Sequence, residues 1–294
     1  MSAAVRVLVR RRGWGDERAL VRRARRVWGM PGLVASVPLL GLRREPVATA
    51  AVRGEWIVPR DAEPGAVLYV HGGGYVACSP VTHRPITAAL ARRTRRRVFA
   101  VAYRLAPEHR FPAALDDVVA AYRWLLASVP ARSIALDGDS AGGGLVLALL
   151  GRLHAERLPT PACAVCVSPW TDLAGTGAST RENAGRDAMF RPENLAQFAR
   201  VYLGGDLTLS RDPRASPVYA DPAGLPPLLL QVGSTELLLD DARRVHEAVR
   251  AAGGVSHLEV FDDVPHGWEM FVGLVPEATA AVGHAAAFMR EHLA

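Results

Sequence analysis

Short apolar runs alternate with amphipathic stretches along most of this chain. Six of the runs carry apolar residues at both odd and even positions, a pattern typical of strands covered on both faces of a parallel sheet. They lie at residues 66–70, 97–102, 133–137, 162–167, 228–232 and 257–261. Amphipathic helices are indicated between them, at residues 113–127, 141–156, 240–252 and 277–293. This alternation predicts an α/β fold with a mostly parallel, doubly wound sheet.

Two segments interrupt the alternation. Residues 1–45 are rich in Arg and place apolar side chains at helical spacing between Leu20 and Trp28, before a stretch broken by Pro and Gly. Residues 171–227 form a long insertion between two strands and contain further Pro and Gly clusters. We therefore expect a helical cap segment at 1–45 and a catalytic domain at 46–294, whose insertion at about 171–227 contributes to the cap.

Charge and hydropathy exclude several classes of protein. All 35 basic residues are Arg, and with 29 acidic residues they give a formal net charge of +6. The arginines are scattered rather than gathered with aromatic residues on one face, so we expect no nucleic-acid partner. No apolar run approaches the roughly 20 residues that span a bilayer, and the first residues lack the apolar core of a secretory signal. The sequence thus predicts a cytoplasmic protein without stable membrane insertion.

The strongest chemical signal is the pentapeptide Gly-Asp-Ser-Ala-Gly at residues 138–142, which follows one predicted strand and opens a predicted helix. A nucleophilic serine needs such a sharp strand-turn-helix junction, and glycines let the two elements approach closely. The alternative is a glycine-rich helix entry that binds a phosphate or no ligand. Because the pentapeptide directly follows a predicted strand, we predict that Ser140 is a nucleophile.

A second signal follows the first predicted strand, where residues 71–74 read His-Gly-Gly-Gly. Acyl transfer places negative charge on an oxygen, which needs N–H donors that are already aimed at it. Consecutive glycines turn their N–H groups inward without steric penalty. We therefore predict that Gly73, Gly74 and the N–H of Ala141 form an oxyanion hole.

A serine hydroxyl requires a neighbouring base, and nine histidines are available. Most of them fall in predicted helices, in the glycine loop, upstream of the serine or at a strand start. His266 lies on a loop just past the last predicted strand, at the edge where open α/β sheets display functional residues. His266 is therefore the predicted general base.

Where a Gly-X-Ser-X-Gly turn carries the nucleophile, the triad runs in the order serine, acid, histidine, so the acid should follow the strand at 228–232. Glu236 stands on the loop directly after that strand. Asp240 and Asp241 come about one helical turn later, where acidic residues cap or charge a helix start. We predict that Glu236 is the acid, with Asp240 as the alternative.

Taken in order, these motifs resemble those of the bacterial hormone-sensitive-lipase group of α/β-hydrolases. The resemblance rests on residues 71–74, on Tyr-Arg-Leu-Ala-Pro-Glu at 103–108, on 138–143, and on the acid and histidine segments, and it runs from about residue 45 to the end. It implies an α/β-hydrolase fold and a serine carboxylesterase that acts on short to medium acyl esters, in some members on lactones or acetylated compounds. It also implies that no metal and no organic cofactor take part. Many members have Asp where this chain has Glu236.

Other functions compete with this interpretation. A non-catalytic receptor for a small ligand on the same fold would be expected to lack the histidine, which is present here as His266. A peptidase or amidase would use the same triad chemistry. The expected partner is a small-molecule ester, and a homodimer through an edge strand or the last helix is compatible with the sequence, which does not decide the oligomeric state.

Overall fold

A computed structural model describes residues 16–29, 39 and 41–294 of the chain. An eight-stranded sheet forms its centre. Its strands are β1 (Leu42–Ala48), β2 (Arg53–Pro59), β3 (Ala66–Val70), β4 (Arg97–Val101), β5 (Ile134–Asp139), β6 (Cys163–Val167), β7 (Leu228–Gly233) and β8 (Ser256–Phe261). They lie in the order β1-β2-β4-β3-β5-β6-β7-β8. Strands β3 to β8 are parallel to one another, whereas β1 and β2 are antiparallel to their neighbours.

Helices cover both faces of the sheet. They are α1 (Glu17–Trp28), α2 (Arg84–Thr94), α3 (Ala113–Leu126), α4 (Ala141–Ala155), α5 (Ser179–Glu182), α6 (Pro192–Tyr202), α7 (Leu239–Ala251) and α8 (Pro276–His292). Shorter 3₁₀ turns lie at Ala131–Ser133, Leu207–Arg211, Pro217–Tyr219 and Trp268–Phe271. The predicted mostly parallel α/β fold is confirmed, and the six predicted strands agree with β3 to β8 within one or two residues.

Alternating strand residues supply two separate cores. In β3, Leu68 and Val70 belong to the core that packs against α3 and α4, whereas Val67 and Tyr69 belong to the core under α2 and α8. This is the consequence of apolar residues at both parities, since successive side chains point to opposite faces. Cys163 and Cys166 in β6 likewise lie in different cores.

The structure contains elements that the sequence pattern did not predict. Strands β1 and β2 extend the sheet at one edge, helix α2 connects β3 to β4, and the insertion at 171–227 contains α5 and α6 rather than being irregular throughout. Within the predicted cap segment 1–45, helix α1 begins at Glu17 and ends at Trp28, while residues 1–15, 30–38 and 40 lie outside the described residues. No helix within the described ranges has the length and hydropathy needed to cross a membrane.

A buried ion pair joins α2 to β2. The guanidinium of Arg84 donates from Nε to Oε1 and from Nη2 to Oε2 of Glu55, both at 2.8 Å, and both side chains are buried. Such a bidentate pair gives each carboxylate oxygen a charged donor, but each partner is costly to bury without the other.

Removing one partner should therefore cost more stability than removing both. We expect Glu55→Ala to lower the free energy of unfolding by about 3 to 5 kcal/mol, because the Arg84 charge stays buried without its partner. The double variant Glu55→Leu/Arg84→Met should stay within about 1 kcal/mol of the parent protein. Urea denaturation followed by circular dichroism measures both, and an equal loss in the two variants would contradict the interpretation.

Candidate active site

The predicted nucleophile lies on a tight turn between β5 and α4. Ser140 has a φ of 54°, a backbone conformation that non-glycine residues adopt only when the surrounding structure enforces it. Its N–H donates to the Val167 carbonyl at 2.8 Å, and its carbonyl accepts from the Trp170 N–H at 2.9 Å. A Cβ at Gly142 would collide with the carbonyl oxygen of Val70. The glycine therefore allows the start of α4 to lie directly against β3.

Three of the predicted residues form one continuous hydrogen-bonded chain. The Nε2 of His266 lies 2.9 Å from the Oγ of Ser140, and its Nδ1 lies 2.6 Å from Oε2 of Glu236. All three side chains are buried, and the glutamate is completely so. Because Glu236 can accept the proton on Nδ1, Nε2 is left to accept a proton from the serine hydroxyl.

The alternative acid lies elsewhere. Asp240 is in the first turn of α7, where its Oδ2 accepts the Ser179 N–H at 2.8 Å. Its neighbour Asp241 accepts the backbone N–H groups of Thr171 and Asp172 at 2.6 and 2.8 Å. Both aspartates thus connect α7 to the insertion, and it is Glu236 that meets the imidazole.

Ser168 supports the glutamate and was not predicted to matter. Its hydroxyl donates to Oε1 of Glu236 at 2.7 Å, and the Gly233 N–H donates to the same oxygen at 2.6 Å. Ser168 follows β6 with a φ of 45°, so it stands at the same sheet edge as the nucleophile turn. One carboxylate oxygen is held by these two donors, and the other faces His266.

The electrostatic surroundings favour a charged imidazole. Burial by itself would lower the pKa of His266, but the Glu236 carboxylate against Nδ1, with Asp187 and Glu269 nearby, raises that pKa above its ordinary value. Burial, followed by repulsion from Asp139, raises the pKa of Glu269 to about 8, so this carboxyl is largely neutral at pH 7. The carboxylate in contact with the ring is therefore the main charge that stabilises a protonated imidazole at His266.

The glycine loop places its backbone beside this chain of residues. Gly73 has a φ of 112° and Gly74 a φ of 61°, conformations that favour glycine. The Gly73 carbonyl accepts the N–H groups of Val76 and Ala77, each at 3.1 Å. In the described part of the chain, the N–H groups of Gly73, Gly74 and Ala141 donate to no protein acceptor. These three predicted donors are thus unengaged by the protein.

Asp139, for which the motifs predict no role, anchors that loop. Its Oδ1 accepts the Tyr69 hydroxyl at 2.7 Å and the Gly72 N–H at 3.0 Å, and its Oδ2 lies 3.3 Å from Nε2 of His83. Burial would raise the pKa of Asp139, but the adjacent His83 holds it below its usual value. The carboxylate next to the nucleophile therefore joins β3, the glycine loop and α2.

Aromatic side chains from α1 and the insertion converge on the site. Phe190 lies edge-on to the His266 ring, with a centroid separation of 5.1 Å. Trp28 packs against Phe190 and Phe198 at 5.9 and 5.5 Å. A Cβ at Gly74 would lie 3.3 Å from the Phe198 ring. Helix α1 and the insertion at 171–227 thus meet beside both His266 and the glycine loop.

Several known proteins resemble this chain in sequence and in fold. Residues 67–270 match a family model described as the alpha/beta hydrolase fold. An acetyl-hydrolase of Streptomyces hygroscopicus is 43% identical over 237 residues, which cover 80% of this chain and 79% of that protein. An esterase of Acinetobacter venetianus is 37% identical over 244 residues, covering 83% and 80%. A crystal structure of an esterase from the bacterial hormone-sensitive lipase family superposes with a TM-score of 0.87 at 41% identity and covers 100% of this chain and 97% of the other.

The Asp139 anchor can be tested by stability. Asp139→Ala should lower the free energy of unfolding by about 3 kcal/mol, because buried donors on Tyr69, Gly72 and His83 lose their acceptor. Tyr69→Phe removes one neutral donor and should cost about 1 kcal/mol. Thermal unfolding by calorimetry measures both variants. Equal costs for the two would argue against the carboxylate as a shared anchor.

Proposed function

Since the chain belongs to the bacterial hormone-sensitive-lipase group of the α/β-hydrolase family and is a carboxylic ester hydrolase, we propose that it cleaves esters by acylation of Ser140. The observation that supports this most directly is the chain of hydrogen bonds from Ser140 through His266 to Glu236. A serine, a base and an orienting acid in that order are the groups needed for nucleophilic acyl transfer.

In the first half of the reaction, the Ser140 oxygen attacks the ester carbonyl while Nε2 of His266 takes its proton. The new imidazolium then gives that proton to the departing alcohol, and an acyl-enzyme remains. Glu236 holds the Nδ1 proton in place and stabilises the imidazolium, and the bonds from Ser168 and Gly233 keep the carboxylate oriented. In the second half, His266 activates a water molecule that attacks the acyl-enzyme and releases the acid.

Both halves pass through a tetrahedral intermediate with a negatively charged oxygen. We assign the N–H groups of Gly73, Gly74 and Ala141 to that charge. Their lack of protein acceptors supports the assignment, because donors already positioned and unengaged need no rearrangement as the charge develops. Ala141 also begins α4, so the positive end of the helix dipole lies at the same point.

The proposed substrates are esters with short to medium acyl chains, acetyl esters among them. Trp28, Phe190 and Phe198 pack together beside His266 and the glycine loop, and in this proposal they form the apolar wall that the acyl chain contacts. The acetyl-hydrolase among the relatives is consistent with a small acyl group. In this proposal α1 and the insertion at 171–227 together form the cap that bounds the pocket.

Hydrolysis of p-nitrophenyl esters from acetate to palmitate tests the proposal. We expect turnover of the short esters, a fall with chain length, and a loss of about 10⁴-fold or more in kcat for Ser140→Ala. Calorimetry of the variant should show a folded protein. Full activity in Ser140→Ala would rule out this nucleophile, and no turnover of any ester by the folded parent protein would exclude this substrate class.

The acid is tested by a matched pair of variants. Glu236→Gln should lower kcat by about 10³- to 10⁴-fold, because a neutral amide neither stabilises the imidazolium nor enforces the required tautomer. Asp240→Asn, four residues away, should remain within about threefold of the parent because Asp240 contacts Ser179 rather than the base. Steady-state kinetics with p-nitrophenyl acetate decides between them, and the reverse ranking would make Asp240 the acid.

A further inference from the structure

The insertion contributes a buried carboxylate that the reaction described above does not use. Asp187 lies between α5 and α6 and is 2% exposed. Its Oδ1 accepts the N–H groups of Met189 and Phe190 at 2.7 and 2.8 Å, and its Oδ2 accepts the Leu237 N–H at 2.9 Å. Three N–H donors around one carboxyl group favour its ionised form.

These bonds connect the insertion to the loop that holds the acid. Leu237 directly follows Glu236, so the bond from its N–H fixes the backbone at that point. Nearby on the insertion, the Nδ2 of Asn183 donates to the carbonyl oxygens of Glu236 and Ser234 at 2.8 and 3.2 Å. The position of Glu236 therefore depends on side chains from the insertion as well as on β7.

The Asp187 carboxylate also influences His266, through a neighbouring aromatic ring and through its charge. By accepting the Phe190 N–H, Asp187 holds the turn that places the Phe190 ring edge-on to the imidazole. Burial raises the pKa of Asp187 above its ordinary value, while the N–H bonds from Phe190 and Leu237 and the nearby imidazole act in the opposite direction. The Asp187 carboxylate in turn contributes to the raised pKa of His266. Asp187 and His266 are thus electrostatically linked.

We propose that Asp187 is a positioning residue for the base, through which the insertion supplies both charge and geometry to His266. This rests on the proposed function, in which His266 is the base. Asp187 would stabilise the imidazolium that forms in each half of the reaction, alongside Glu236. The insertion would then have two roles: it bounds the substrate pocket, and its packing against the loop that holds Glu236 is needed for the full basicity of His266.

Two other acids act on the imidazole. Glu236 on the loop after β7 is in contact with the ring, and Glu269 lies on the 3₁₀ turn that follows His266. Burial keeps Glu269 largely neutral at pH 7. On the insertion, Arg186 donates from Nη1 to Oδ1 of Asn183 at 3.2 Å. The three N–H donors around Asp187 favour its ionised form, which would make it the carboxylate that acts on the ring beside Glu236.

The sign of the effect follows from the charge. His266 must be neutral to accept the serine proton, so activity falls as the pH drops through its pKa. That pKa is raised in this structure, which places the acid-side midpoint of the parent protein above the ordinary histidine value of about 6.5. Removing the Asp187 charge should lower the pKa of His266 and move the midpoint to lower pH.

The experiment is the pH dependence of kcat/KM and kcat for p-nitrophenyl acetate in Asp187→Asn and Asp187→Ser. We expect the midpoint to fall by roughly half a unit to one unit, and kcat on the plateau to fall by about three- to tenfold. Serine keeps an oxygen that accepts the local N–H groups, so it tests the charge even if the asparagine variant does not fold. Asp187→Glu, which retains the charge, should keep the midpoint close to that of the parent.

Asp240→Asn is the matched control, because it also removes a carboxylate that bonds the insertion, at Ser179 rather than beside the base. Its midpoint should not move. The proposal is overturned if the two uncharged Asp187 variants keep the parent midpoint, or if Asp240→Asn shifts it equally. His266→Ala separates this failure from failure of the proposed function: if it retains the parent activity, His266 is not the base and both proposals fall.

Discussion

The turn at Ser140 is the constraint on which the rest of the site depends. Ser140 has a positive φ although it carries a side chain. Two hydrogen bonds hold this conformation: the Ser140 N–H donates to the Val167 carbonyl at the end of β6, and the Ser140 carbonyl accepts from the Trp170 N–H. The start of α4 then lies directly against β3, a contact that needs glycine at position 142 because a Cβ there would collide with the Val70 carbonyl oxygen. The ends of β3, β5 and β6 are thereby brought to one point, and the glycine loop, the serine and Ser168 all follow those strands.

Buried charge in this protein is held by donors from several elements at once. Glu55 joins β2 to α2, and Asp139 joins the glycine loop to α2 and β3. Asp187 joins the insertion to the loop that holds Glu236. A buried carboxylate is tolerated only when its oxygens are satisfied, so each of them fixes the relative positions of the elements that supply its partners. The same side chains thus stabilise the fold and set the distances within the site.

Much of this architecture could be predicted because it is encoded locally. Strands with apolar residues at both parities and the motifs around Ser140 and residues 71–74 each occupy a few consecutive positions. Strand β1 could not be found in this way, since its sequence Leu-Arg-Arg-Glu-Pro-Val-Ala is mostly exposed and becomes a strand by pairing with β2. Ser168 and Asp187 were missed for a related reason: their partners lie 68 and 50 residues away.

The choice between Glu236 and Asp240 shows where sequence spacing stops being informative. Both lie after β7, and a difference of four residues is one helical turn, so spacing alone favours neither strongly. The decisive feature is that α7 begins at Leu239, which commits Asp240 to a helix and turns its carboxylate toward Ser179. Glu236 precedes the helix, and its carboxylate folds back under its own strand to meet the Gly233 N–H. Glu236 can reach the imidazole because it precedes α7, so the helix does not fix the direction of its side chain. The insertion then holds this loop in place, since Asp187 accepts the N–H of Leu237, the residue after Glu236.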